Sequence, residues 1–86
     1  MSIENHKSKL VSDKELLSDI EITGRELEAY QKIKDGFTTL AQLPENIESG
    51  KSSVYRFEAM KYGALESECA VFLLNLHALK AERGLK

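Results

Sequence analysis

The sequence LESECAVFLLNLHALKAER, residues 65–83, carries the longest uninterrupted helical pattern of the chain. At about 100° per residue, one wide apolar stripe of this pattern is typical of a helix that faces a core. The residues of this stripe are Leu65, Cys69, Phe72, Leu73, Leu76 and Leu79. A second stripe on the far side consists of Ala70, Val71, Leu74, Ala78 and Ala81. A surface helix ordinarily has one apolar face, so the second stripe predicts contact with other parts of the fold or with another protein.

Length and composition indicate one folded domain. The chain has 86 residues, of which 42% are hydrophobic and 30% charged, and these values argue against wholesale disorder. Residues 1–11 are polar and aperiodic, so we expect a flexible tail there and a single helical domain over residues 12–86. The net charge is −2, but residues 1–50 carry −4 and residues 51–86 carry +2. Overall acidity argues against non-specific binding to polyanions, while the second half could present a local basic patch.

Cysteine usage and hydropathy predict a cytoplasmic protein without membrane contact. The single cysteine, Cys69, excludes an intramolecular disulfide, and its place on an apolar stripe is typical of a small buried hydrophobe. The longest wholly apolar run, residues 70–74, is far shorter than the roughly 20 residues that span a bilayer. The N-terminus lacks the apolar segment of a secretory signal.

Helix start and stop signals predict an all-α domain of four to five helices. Ser12 with Glu15 and Thr23 with Glu26 have capping-box spacing, and Thr39 with Gln42 forms a weaker box. We place further helix ends at Gly36, Gly50, Ser52 or Ser53, Gly63 and Gly84. No segment alternates between apolar and polar residues over the length of a strand.

The motifs of common catalytic and metal sites are missing. Gly50-Lys51-Ser52 resembles the end of a phosphate-binding loop, but Glu45 stands where that loop needs glycine. Cys69 and His77 lie about 80° apart around a helix and two turns apart along it, which is not a zinc spacing. We therefore expect no enzyme, no cofactor and no metal.

The segment 51–62 has the composition of a helix that could contact DNA. Lys51, Arg56 and Lys61 oppose only Glu58, which gives this segment a net charge of +2. Hydroxyl groups and Arg reach phosphates and base edges when a helix enters the major groove. The alternative is an amphipathic helix whose polar face simply meets water.

Several short motifs, in order, resemble the LuxR/GerE-type helix-turn-helix family. Residues 22–28, Ile-Thr-Gly-Arg-Glu-Leu-Glu, are similar to the family's opening Leu-Thr-x-Arg-Glu-x-Glu, and Arg25 precedes Gly36 by the expected eleven residues. Residues 53–54 are similar to its Thr-Val, residues 61–64 to its Lys-Leu-Gly-Val and residues 70–71 to the end of its Glu-Ala-Val. The resemblance covers residues 22–76, with departures at Pro44, at Glu48 and in a shortened recognition helix.

The resemblance implies a helix-turn-helix core whose third helix enters the major groove, and a fourth helix that mediates dimerisation. It predicts a small homodimeric transcription regulator that binds DNA. The candidate DNA contacts are Thr39, Lys51, Ser52, Ser53, Tyr55, Arg56 and Lys61. The alternative is a non-enzymatic interaction module, such as an adaptor, chaperone or inhibitor, that holds a protein partner on the second stripe of the last helix. The acidic first half and Pro44 favour this alternative.

Overall fold

The computed structural model describes residues 11–86, and within that range the chain is a helical hairpin. Helix α1 spans Asp13–Gln42, α2 spans Pro44–Ser49 and α3 spans Lys51–Glu82. The hairpin measures 54 × 26 × 14 Å, so its smallest dimension is close to the diameter of one helix with its side chains. The all-α prediction is confirmed for this range. The tail predicted over residues 1–11 falls, except for Val11, outside the described residues.

The predicted number of four to five helices is wrong for residues 11–86, which form three. Thr23 and Gly36, predicted as helix ends, lie inside α1, and Gly63 lies inside α3. The segment 51–62 and the helix predicted over residues 65–83 are therefore one continuous helix. Glycine inside a helix costs about 1 kcal/mol relative to alanine, and the long packed face of each helix offsets that cost because tertiary burial outweighs local propensity.

The contact between α1 and α3 follows a heptad spacing of alternating three and four residues, as in an antiparallel coiled coil. The α1 residues of this inner seam are Leu16, Ile20, Thr23, Leu27, Tyr30, Lys34, Phe37 and Ala41, all buried or half-buried. Those of α3 and its C-cap are Ser52, Tyr55, Ala59, Tyr62, Glu66, Cys69, Leu73, Leu76, Lys80 and, at the cap, Arg83, again all buried or half-buried. The seam thus contains polar and charged members as well as apolar ones.

Four aromatic rings pack together in the half of the inner seam nearest the turn. Ring centroids lie 6.3 Å apart for Tyr30 and Tyr62, 5.8 Å for Phe37 and Tyr62, and 6.1 Å for Phe37 and Tyr55. These separations suit offset or tilted aromatic packing, which adds about 0.5–1.5 kcal/mol per pair to the burial of apolar area. The rings therefore fix the alignment of the two long helices.

The turn between the long helices is held by side chains that bind the end of α1. Leu43 is extended because the residue before proline avoids the helical region, and Pro44 then begins α2. Ser52 Oγ donates to the Ala41 carbonyl at 2.7 Å, and Asn46 Nδ2 donates to the Leu40 carbonyl at 2.7 Å. Gly50, with φ of +81°, makes the left-handed step from α2 into α3.

Candidate functional site

The outward face of α3 carries a second heptad pattern, opposite the inner seam. We call this set the outer stripe, and its spacing alternates three and four residues over about three and a half heptads. Its members are Phe57, Met60, Ala64, Ser67, Val71, Leu74, Ala78 and Ala81, and every one is exposed. None of these residues is charged, so α3 presents a continuous uncharged surface along most of its length.

The large side chains of the outer stripe are among the most exposed apolar groups in the described residues. The exposed fractions are 69% for Phe57, 74% for Met60, 58% for Val71 and 68% for Leu74. Single exposed apolar residues are common on soluble proteins, but a contiguous row of them marks an interaction surface. The outer stripe is therefore the strongest candidate for a functional site in this hairpin.

The corresponding outward face of α1 is polar at every position. It carries Ser18, Glu21, Arg25, Glu28, Lys32, Asp35, Thr39 and Gln42, all exposed. Arg25 also pairs with Glu21 one turn before it along this face. The two outward faces of the hairpin therefore differ: the outward face of α1 is hydrophilic, and the outward face of α3 is uncharged.

The second apolar stripe that the sequence predicts falls on this surface almost completely. Val71, Leu74, Ala78 and Ala81 belong to the outer stripe, and Ala70 lies half-buried on its edge. Sequence reasoning missed Phe57 and Met60 because it placed a helix end at Gly63 and so assigned these two side chains to a different helix. A continuous heptad count from residue 57 through the glycine would have found them.

The seven predicted DNA contacts are spread over different surroundings. Ser52 is buried and bonded to the Ala41 carbonyl, and Tyr55 is half-buried against Phe37. Thr39 is exposed, but it lies on α1. Lys51, Ser53, Arg56 and Lys61 are exposed on α3. Lys51 and Arg56 point about 140° apart around the helix, as do Arg56 and Lys61, so the three cations surround α3 rather than share one face.

A shallow open groove lies beside the outer stripe at the turn end of the hairpin. Its volume is about 320 Å³, and it is lined by Thr38, Ala41, Gln42, Arg56, Ala59 and Met60. The walls are mainly apolar, with the Arg56 guanidinium as their cationic group. The groove continues the outer stripe toward α1 through Met60, so both belong to one surface.

Two polar features of the inner seam sit outside this surface. Lys34 Nζ lies 3.1 Å from Glu66 Oε1 and 3.0 Å from Oε2. Cys69 donates through Sγ to the Thr23 carbonyl at 3.5 Å. Burial raises the pKa of the Cys69 thiol above its ordinary value, and the carboxylate of Glu26 raises it further. Both features act within the hairpin, and the thiol stays protonated at neutral pH.

The described residues offer little support for other kinds of site. Among residues 11–86, no group of three or more His, Cys, Asp or Glu side chains is arranged to hold a metal ion. None of the helices in that range combines the length and hydropathy needed to cross a membrane. Comparison of the chain with protein-family models, curated proteins and solved structures finds no match.

Proposed function

We propose that this protein is a non-enzymatic helical interaction module that assembles as a homodimer through the outer stripe of α3. One observation carries the proposal: eight consecutive heptad positions on the outward face of α3 are exposed and uncharged, whereas the equivalent face of α1 is polar throughout. A heptad pattern sustained over three to four heptads is the sequence requirement for a coiled-coil contact. The inner seam already uses the opposite face of the same helix.

The size of the exposed surface supports assembly. The chain exposes 6502 Å², whereas a compact monomer of 9.7 kDa should expose about 5,100 Å². The excess per chain is larger than the roughly 800 Å² that each partner buries in a standard interface. Because the hairpin is one helix thick, its own helices leave the outer stripe of α3 exposed. A second chain could bury that stripe.

Light scattering coupled to size exclusion tests the proposal directly. We expect a mass of twice 9.7 kDa for the wild-type chain. Leu74→Asp should weaken the dimer by more than about 100-fold, because each copy loses roughly 1.5–3 kcal/mol of burial and symmetry doubles the loss. Val71→Asp should act in the same way.

Ile22→Asp is the matched control. Ile22 is 48% exposed, but it lies on α1, away from the outer stripe, so its replacement should leave the dimer intact. Circular dichroism should show the same helix content in all variants. A wild-type chain that stays monomeric over the whole accessible concentration range would refute the proposal.

DNA binding is a second candidate function. It is favoured by the excess of exposed cations in the first three turns of α3, Lys51, Arg56 and Lys61, which follow the short helix α2 and Gly50 but do not share one face. This order of short helix, turn and long helix is compatible with the helix-turn-helix resemblance. A transcription regulator of this kind would also use the dimer, because paired recognition elements read paired half-sites.

Electrophoretic mobility shift at two salt concentrations tests DNA binding. Arg56→Ala and Lys51→Ala should weaken binding and flatten its salt dependence, because each removes a contact to phosphate. Lys14→Ala, a cation at the opposite end of the hairpin, is the control. Failure to bind any DNA at low salt would eliminate this candidate and leave the dimer proposal unaffected.

A further inference from the structure

We infer that the outer stripe binds the outer stripe of a second copy in the antiparallel direction, with its centre of symmetry at the level of residue 69. This inference rests on the proposed homodimer and specifies its geometry. In an antiparallel coiled coil, each core position of one type faces a core position of the other type. In the outer stripe, the residues that face each other then have numbers that sum to 138.

This alignment places a large side chain against a small one in every layer. Phe57 faces Ala81 of the second copy, and Met60 faces its Ala78. Leu74 likewise faces Ala64, and Val71 faces Ser67. Close packing requires such complementary volumes, because a layer of two small residues leaves a void and a layer of two large ones is overfilled. One alignment satisfies all eight positions, and two-fold symmetry repeats each layer.

A parallel pair would pack far worse. It would place Phe57 against Phe57 and Met60 against Met60, while Ala64, Ala78 and Ala81 would each face their own copies. One end of the interface would be crowded and the other would contain gaps. The distribution of large and small side chains therefore favours the antiparallel direction over the parallel one.

The charged residues beside the outer stripe oppose the parallel pair at two contacts and the antiparallel pair at one, where Glu68 lies near Glu68 of the second copy. A parallel pair would bring Arg56 of each copy next to Lys61 of the other, which is a repulsive arrangement at both flanks. The antiparallel pair separates these cations and places Arg56 beside the carboxyl end of the second copy's α3, near Gly84. Helix carboxyl ends carry partial negative charge, and Gly84 directly follows the last helical turn.

Ala70 on one edge of the outer stripe permits a close approach of the two helices, because the antiparallel alignment places it near Ala70 of the second copy. Gly63 lies on the same edge, but the Lys34 side chain of its own hairpin already packs against it. Small residues at such flanking positions let helix backbones come together, which increases the packing contacts made by the core layers.

Distance measurement between two spin labels separates the two directions. Ser53 lies on the same face of α3, beyond the packed layers, and is exposed. We would label Ser53→Cys in a Cys69→Ser background, which keeps a hydroxyl donor for the Thr23 carbonyl. In the antiparallel dimer the two labelled backbones lie about 48 Å apart, from 32 residues at 1.5 Å each. In a parallel dimer they lie roughly 10 Å apart.

A mixing experiment tests the alignment of the layers. Ala64→Lys and Leu74→Glu should each weaken the homodimer at least tenfold, and an equimolar mixture of the two should form a heterodimer close to wild-type strength. The lysine of one copy then faces the glutamate of the other, and the symmetry-related layer keeps its native pair. Ala64→Lys mixed with Val71→Glu is the control, because those two positions do not face each other.

The outcomes distinguish this inference from the proposed function. A dimer whose Ser53 labels lie near 10 Å, or a mixture without rescue, overturns the antiparallel pairing while the homodimer stands. A wild-type monomer overturns both. The long label distance together with selective rescue establishes the pairing.

Discussion

At the scale of single residues, the Lys34–Glu66 pair is the most unusual member of the inner seam. Both side chains occupy core positions of the heptad, with exposed fractions of 34% for Lys34 and 19% for Glu66. A charged pair inside a coiled-coil core adds little stability, but it favours the one alignment in which the charges meet. It therefore complements the aromatic rings in setting how α1 lies against α3.

Removing one partner of this pair should cost stability. Lys34→Met leaves the Glu66 carboxylate without its cation in a half-buried site, so we expect the free energy of unfolding to fall by about 1–3 kcal/mol. The double variant Lys34→Met, Glu66→Leu should recover most of that loss, because two apolar side chains replace the pair. Urea denaturation of the three chains measures both effects. A double variant as unstable as the single one would contradict this account.

Cys69 should react slowly with alkylating reagents. Its pKa is raised by burial and by Glu26, and the thiolate is the reactive form. At pH 8 the folded chain should therefore react with iodoacetamide more slowly than free cysteine does. Because the pKa of the Cys69 thiol is higher in the folded chain than in the unfolded one, the free energy of unfolding should fall as the pH rises above the unfolded pKa of about 8.5 toward the folded pKa. Equal rates for the folded chain and for the chain in urea would contradict the prediction.

At the scale of secondary-structure elements, the two long helices tolerate glycines that local signals would treat as ends. Gly24 and Gly36 lie in α1 and Gly63 lies in α3, all within regular helix. The left-handed backbone that favours glycine occurs in the described residues at Gly50 and Gly84 instead. Helix continuity here follows from the inner seam, because each turn buries part of its face against the other helix.

Gly36→Ala distinguishes a helical interior from a helix end. A methyl group added at Gly36 meets no atom within 4 Å, so alanine should raise the free energy of unfolding by about 1 kcal/mol through higher helix propensity. Thermal denaturation measures the change. Gly50→Ala provides the opposite case, since φ is +81° there and alanine should destabilise by about 1–2 kcal/mol. Destabilisation by Gly36→Ala would mean that α1 ends at this residue.

The sequence predicted the helical class and the second apolar stripe, but not the continuity of the helices. Ser12 does cap α1, accepting from the Glu15 amide at 3.1 Å, as its capping box predicts. Thr23 has the same box pattern, yet it is buried in the inner seam. Local patterns cannot distinguish these cases, because only the contact with α3 keeps Thr23 inside a helix. Because the sequence signals suggested a helix end at Gly63, the sequence predicted only the part of the outer stripe from Val71 onward.

At the scale of the whole molecule, the hairpin is extended for its length. Its radius of gyration is 17.8 Å, against about 12 Å for a compact domain of this size. Among the described apolar residues only Leu16 and Ala41 are buried, and they lie near opposite ends of α1. If the proposed dimer forms, much of the stability of the folded chain should therefore depend on it.

The midpoint of thermal unfolding should rise with protein concentration. If only the folded chain binds a second copy, a higher protein concentration stabilises the folded state by mass action. A tenfold dilution should therefore lower the wild-type Tm by several degrees. Leu74→Asp should show a lower Tm with little dependence on concentration. Circular dichroism melts over a hundredfold range of concentration provide the measurement. A wild-type Tm that does not change over this range would contradict obligatory coupling of folding to assembly.

The polar outward face of α1 limits how far assembly can proceed. In the proposed antiparallel dimer each α3 would be covered, and the two α1 helices would form the outer sides with their charged residues toward water. An interface of this kind is isologous, since both copies use the same patch, and it closes at two chains. We therefore expect the proposed assembly to stop at two chains, without the open-ended polymers that an apolar outward face on α1 would permit.

The thickness of 14 Å has a consequence for the turnover of the protein. A chain one helix thick has no interior layer, so local openings of an unpaired hairpin should require little free energy and expose cleavable backbone. Proteolysis tracks the population of such open forms. Newly made copies that have not met a partner should then be degraded first, and the steady-state amount should rise more steeply than the rate of synthesis.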